Sequence, residues 1–162
     1  MKKIFTFLFI LVSFSTYSQI LFTEQFNYTP DAALGLANQS LGVWSKVNTG
    51  DSILVSSGNL SYTGLAASAG NKIIYGGSGT DYFRGFTNQT SGTVYCSFLL
   101  NVTSLGALKT IPGGYTIALT DNTTGYGSTL WIRSAGASNF NIGLNPRTTV
   151  ANTAWLSNSL SL

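Results

Sequence analysis

The chain has 162 residues, with eight basic and five acidic side chains and a formal net charge of +3. It contains no histidine and one cysteine, which excludes a zinc site built from His and Cys, an internal disulfide, and a cysteine nucleophile activated by a histidine. The length is that of a single domain with one core.

The first 18 residues have the pattern of a secretion signal. Lys2 and Lys3 precede an apolar run of nine residues at 4–12, and Thr16 and Ser18 suit the −3 and −1 pockets of a signal peptidase. We therefore predict cleavage after residue 18 and export of the rest of the chain, to the cell surface or the extracellular medium.

The predicted mature chain, 19–162, carries six basic against five acidic residues once Lys2 and Lys3 are removed. This balance predicts no nucleic-acid partner. The apolar run is about half as long as a membrane span, so we expect no stable membrane insertion after cleavage. We expect 19–162 to form one domain, because no internal repeat or linker interrupts it.

Short strand patterns separated by Gly, Asn, Ser and Pro follow the predicted signal. One helical turn is predicted at 32–36, with Asp31 as its N-cap and with Gly35 disfavouring helix. The predicted strands are 21–26, 42–47, 53–55, 60–62, 72–75, 82–86, 93–102, 115–120, 129–133 and 140–144. Short strands with a turn about every 8–12 residues are typical of an all-β fold, here an antiparallel β-sandwich or jelly roll.

The strongest strand pattern lies at 92–102 and predicts a central strand of the sheet. Its alternating residues, expected on the core side, are Val94, Cys96, Phe98, Leu100 and Val102. The single thiol is therefore expected to fill the core and not to react. We also assign Trp44 to the core, since aromatic residues near the start of a sandwich usually pack between its sheets.

Four segments of the chain have a recognisable pattern: ILFTEQFNY at 20–28, GVW at 42–44, SGTVYCSFLLNV at 91–102 and FNIGL at 140–144. Together they resemble the concanavalin A-like, laminin-G-like jelly-roll domains of large secreted proteins of Bacteroidetes. The resemblance implies a jelly-roll sandwich acting as a non-catalytic module of a surface or secreted protein. Such domains continue for several more strands, so it also implies a truncated domain that lacks its C-terminal strands. The alternation at 155–162 leaves a second interpretation open, namely a short strand that closes the sheet.

Catalysis is not expected from the carboxylates of this chain. Retaining glucanases with a jelly-roll fold need two carboxylates about 5 Å apart, and Glu24 is the only glutamate. The four aspartates lie beside turn residues, where a lone acid usually caps the turn. The alternative is a fragment of a larger secreted enzyme whose catalytic part is absent from this sequence.

Aromatic side chains outside the predicted core favour carbohydrate binding. Trp131 alternates with Leu130 and Ile132, so it is predicted to face away from the core. Exposed rings flanked by hydroxyl and amide groups stack against sugars. The predicted glycan platform consists of Trp131, Tyr126, Tyr95 and Arg133. Two other interpretations stay open: the same rings stabilise the outer face through cross-strand pairs, or the domain is a structural spacer.

Two further patterns are weaker. Asp81, Asp121 and Asn122 supply oxygens of the kind that bind calcium, but no Asp-x-Asp ladder accompanies them, so we expect no cofactor. Ser52 lies in an Asp-Ser-Ile triplet that resembles the acceptor of O-linked glycans on exported Bacteroidetes proteins.

Calcium removal tests the expectation that the protein needs no metal. Adding a chelator should leave the melting temperature unchanged, because the isolated turn acids do not form a complete calcium shell. Differential scanning fluorimetry with and without the chelator measures this. A fall of several degrees would reveal a structural calcium site.

Overall fold

A computed structural model describes residues 19–31, 35–76, 79–109, 112–121, 125–146 and 153–162. The predicted signal peptide at 1–18, most of the predicted helical turn, and Asn122 lie outside these ranges. The regular elements are mostly strands in antiparallel sheets, with little helix, as the all-β prediction requires. None of the described helices is long and apolar enough to cross a membrane.

The described part of the chain contains two short helical turns and nine strands. In chain order they are α1 (Leu36–Gln39), β1 (Ser45–Lys46), β2 (Leu54–Ser56), β3 (Lys72–Ile74), β4 (Tyr82–Phe83), a 3-10 turn (Gly106–Lys109), β5 (Gly114–Thr120), β6 (Tyr126–Ser134), β7 (Asn139–Asn145), β8 (Ala154–Trp155) and β9 (Leu160–Ser161). The first four strands form two small ribbons, β1 with β4 and β2 with β3.

The main sheet has the order β5-β6-β7, with β8 and β9 both pairing with β7. β8 pairs at Gly143 and Leu144, whereas β9 pairs at Asn139 and Phe140. Between them, the Asn141 side-chain amide donates to two carbonyls of the connecting segment. The alternation at 155–162 therefore produces two short strands on the outer edge of the sheet.

The core lies on one face of β6 and β7. Its core cluster of buried residues consists of Leu105, Leu108, Ile132 and Phe140. Leu100, Val102 and Ile142 pack against this cluster and are partly buried. Leu108 lies in the 3-10 turn Gly106–Lys109 and Leu105 directly precedes it, so this short segment covers one face of the sheet.

The described helical turn lies at the C-terminal end of the predicted one. α1 begins at Leu36, and its N-cap is Gly35. Tertiary contacts fix this position: the buried Gln39 side chain accepts from the Val55 amide and donates to the Asp31 carbonyl. A β-carbon on Gly35 would lie 2.6 Å from the Tyr82 hydroxyl, so the close approach needs glycine there.

The predicted central strand at 93–102 is wrong. This segment has no ladder partner among the described residues, and Cys96 and Phe98 are exposed rather than in the core. Only Leu100 and Val102 reach the core cluster. Alternation reports that one side of a strand is apolar, but it does not supply the neighbouring strand that completes a sheet.

Two other predicted strands, 21–26 and 60–62, also do not form in the described chain. Side chains hold the first of these segments in place instead of a ladder. Trp44, assigned to the core, is half-buried: its ring stacks on Phe26 with centroids 5.7 Å apart.

Replacement of Gly143 by Ala tests the packing on β7. The new β-carbon would lie 2.5 Å from the Thr153 methyl carbon and 2.7 Å from a ring carbon of Trp155. We expect Gly143→Ala to lower the free energy of unfolding by about 1–3 kcal/mol, as overpacking does. Urea unfolding followed by tryptophan fluorescence measures the change.

Gly127→Ala on β6 is the matched control. Its β-carbon would meet only the Leu119 carbonyl oxygen, at an ordinary 3.5 Å. Alanine inside a strand is favoured over glycine by roughly 0.5–1 kcal/mol, so this variant should be neutral or slightly more stable. Equal losses in the two variants would contradict the packing described here.

Candidate functional site

The second face of the main sheet carries an aromatic row, made up of Tyr126, Tyr115, Trp131 and Trp155. Tyr115 on β5 pairs with Trp131 on β6, Trp131 pairs with Gly143 on β7, and Gly143 pairs with Trp155 on β8. Directly opposed residues of neighbouring strands point to the same face. The ring of Tyr115 contacts both Tyr126 and Trp131, with centroids 5.4 and 6.0 Å apart.

Trp131 lies inside this face, and the prediction that it is an exposed stacking plate is wrong. Its direction is as predicted, opposite to Ile132 in the core cluster, but only 5% of it is exposed. Its indole N–H donates to the Thr129 hydroxyl over 2.8 Å, and that hydroxyl donates to the Asn145 carbonyl. Alternation gave the direction of the ring but did not show that the Tyr115 ring of the neighbouring strand packs against it.

Arg133 and Trp155 form the more accessible end of the aromatic row. Arg133 follows Trp131 by two residues, so it shares that face, and its guanidinium carbon lies 4.0 Å from the centroid of the Trp155 ring. Both side chains are half-buried. A guanidinium over an indole is a cation–π contact that leaves the N–H donors of the guanidinium at its rim for hydrogen bonding.

Tyr126 forms the other end and lines an open depression. The depression is bounded by Asp121, Gly125, Tyr126, Gly127 and Pro146. The structure thus brings a predicted binding residue, Tyr126, beside one of the calcium candidates, Asp121. The Tyr126 hydroxyl lies 3.3 Å from that of Tyr115.

Tyr115 links this end of the row to the small ribbons. Its hydroxyl donates to the Asp81 carboxylate over 2.9 Å, and the same carboxylate oxygen accepts from the Asn48 amide. Burial raises the pKa of Tyr115, and its bonds to Tyr126 and Asp81 raise it further. Asp81 therefore holds two parts of the chain together. Within the described ranges, no group of three His, Cys, Asp or Glu side chains is placed to hold a metal ion.

Tyr95 does not join the aromatic row, although it was expected on the same face. It is 90% exposed in the unpaired segment 93–102. Among the described residues it makes no ring contact or hydrogen bond with Tyr126, Trp131 or Arg133. Its predicted position depended on a sheet that includes 93–102, and that sheet does not form.

Two members of the row, Tyr115 and Trp155, were missed by the sequence prediction. Trp155 lies in an alternating segment, so the pattern signalled a strand end but not its partner. Which face it joins depends on its pairing with Gly143, twelve residues earlier. The signal that could have located Trp155 in the row is a glycine placed opposite a tryptophan of an edge strand.

Glu24, the single glutamate, is surrounded by donors. Its carboxylate accepts from the Phe26 amide at 2.7 Å, from the Tyr28 hydroxyl and Trp44 indole at 2.9 Å, and from Arg84 in an ion pair. Burial desolvates the carboxyl and raises its pKa, but these hydrogen bonds together outweigh burial and hold the pKa below its usual value. Such a carboxylate stays charged and holds the chain together, which does not suit a general acid.

Comparisons of this chain with protein-family models, with curated proteins and with solved structures find no match.

The Glu24 carboxylate predicts a specific pH dependence of stability. Because its pKa is lower in the folded protein than the usual 4.5, its contribution is fully present above pH 4.5 and is lost as the pH falls through the folded value. We expect Glu24→Gln to lower the free energy of unfolding by about 1.5–3 kcal/mol near neutral pH. The difference from wild type should shrink below pH 4.5.

Urea unfolding at a series of pH values measures this difference. Asp51→Asn, which changes an exposed carboxylate, is the control and should alter stability little. A Glu24→Gln deficit that is the same at acidic and neutral pH would contradict the assignment.

Proposed function

We propose that this chain is an exported, non-catalytic β-sandwich module of the concanavalin A-like jelly-roll type, which binds glycan through the aromatic row. The observation that carries the proposal is the alignment of Tyr115, Trp131 and Trp155, from β5, β6 and β8, across one sheet face, with Tyr126 of β6 against Tyr115. The three steps from β5 to β8, of about 4.8 Å each, separate Tyr115 from Trp155 by about 14 Å. A surface of this length suits an extended polymer better than a single small molecule.

The chemistry of the row supports sugar as its ligand. Sugars present C–H faces that stack on aromatic rings and hydroxyls that need donors and acceptors. Trp155 and Tyr126 supply half-buried rings at the two ends, and Arg133 supplies N–H donors beside Trp155. Trp131 is buried between them, so its role is to hold the row in shape.

The proposal of export rests on the sequence pattern at the N-terminus, and the proposal of a non-catalytic role rests on the surroundings of Glu24. The pattern at 1–18 supports delivery outside the cell. The four donors on the Glu24 carboxylate support a structural role for the only glutamate. In this proposal, surface display brings the aromatic row to polysaccharides, and the residues described here do no chemistry on them.

Affinity electrophoresis tests glycan binding. The exported protein is run in gels that contain soluble β-glucan, xylan or mannan, and we expect at least one of them to retard it. Trp155→Ala and Tyr126→Ala should each weaken the binding by about 1–3 kcal/mol, on the scale for losing a buried aromatic contact. This corresponds to about 5–150-fold in affinity.

Tyr62→Ala is the matched control, because Tyr62 is 70% exposed and lies outside the aromatic row. It should leave retardation unchanged. A wild-type protein that none of the three polysaccharides retards would contradict glycan binding and favour the structural spacer. An equal loss in Tyr62→Ala would place the binding surface elsewhere.

A further inference from the structure

Segment 93–102 has the sequence of a strand but no backbone partner. Among the described residues, none of its amides or carbonyls forms a hydrogen bond with another part of the backbone. Backbone groups of this kind are a template for a further strand. The segment is therefore a free edge, with ten consecutive residues ready for pairing.

One end of the segment is fixed on the core. Leu100 and Val102 pack against the core cluster, while Asn101 between them is exposed, which is the alternation of an extended chain. Toward the other end Val94 is half-buried, whereas Tyr95 is 90% exposed and Phe98 is 48% exposed. Apolar side chains thus lie uncovered along a segment whose backbone is also unpaired.

The segment lacks the features that protect an edge from pairing. No charged residue occurs between Arg84 and Lys109, and no proline occurs between 31 and 111. Lysine and proline on edge strands normally prevent association with another copy. Because the segment is neutral, two copies meet without charge repulsion.

We infer that segment 93–102 pairs antiparallel with the same segment of a second copy of this chain. The alternating apolar positions from Val94 to Val102 are symmetric about Phe98. A two-fold pairing centred there places Val94 opposite Val102, Cys96 opposite Leu100, and Phe98 opposite its own copy. An interface of this kind needs one self-complementary surface, and the segment provides it. The paired backbone then joins the two copies through a ladder of main-chain hydrogen bonds.

Charge exchange at Phe98 tests this pairing. Light scattering after size exclusion should show that the wild-type exported protein is a dimer. Phe98→Lys alone and Phe98→Glu alone should each halve the mass, because like charges then face each other at the centre. A mixture of the two variants should restore the dimer. Since Phe98 is half exposed, these changes should leave the melting temperature near that of wild type.

Tyr62→Lys, an exposed aromatic residue outside the segment, is the control and should leave the dimer intact. A reducing agent should also leave the mass unchanged, because the pairing places Cys96 opposite Leu100 and not opposite itself. A wild-type protein that is monomeric would overturn the inference, and so would one that pairs this segment with a strand of another protein. So would a dimer that survives Phe98→Lys, or a mixture of charged variants that stays monomeric.

Discussion

The packing of the Trp155 ring on Gly143 is the constraint on which the main sheet depends. Trp131 on β6 and Trp155 on β8 both pair with this glycine, which offers them no side chain. The Trp155 ring takes the space where a β-carbon would lie. One residue without a side chain thus makes room for the outer strand on the sheet and leaves Trp155 under Arg133 at the accessible end of the row.

Two carboxylates supplement a small apolar core. Glu24 pairs with Arg84, sixty residues away, and Asp81 accepts from both Asn48 and Tyr115. Two of these bonds join segments that share no strand ladder: Glu24 with Arg84 ties the first described residues to the end of β4, and Asp81 with Tyr115 ties the start of β4 to the main sheet. Because a buried hydrogen bond to a charged group contributes about 1.5–3 kcal/mol, a few such contacts matter in a domain with little buried apolar surface.

The sequence predicts the strands of the main sheet well and the structure of segment 93–102 poorly. The predicted strands at 115–120, 129–133 and 140–144 match β5, β6 and β7 to within a few residues, because alternation and turn residues agree there. Segment 93–102 has equally strong alternation but no partner strand. Pairing depends on long-range contacts that a local pattern does not contain.

The same distinction explains the candidate site. Alternation correctly placed Trp131 on the face opposite to Ile132, but its contact with the Tyr115 ring depends on the pairing of β6 with another strand. Tyr95 was misplaced because its own strand does not form. The accessible end of the row, Trp155 with Arg133, required knowledge of the pairing between β7 and β8.

In this account, Trp131 is the buried centre of the binding surface and Trp155 is the end that contacts the ligand. The three indole N–H signals of the protein test this most directly. Trp44 donates to Glu24 and Trp131 to Thr129, whereas Trp155 has no such bond among the described residues. In nitrogen–proton NMR spectra, a soluble polysaccharide that binds the protein should shift the Trp155 indole signal and leave those of Trp44 and Trp131 in place. A large shift at Trp44 with none at Trp155, or a Trp131 indole that exchanges freely with solvent, would contradict this account.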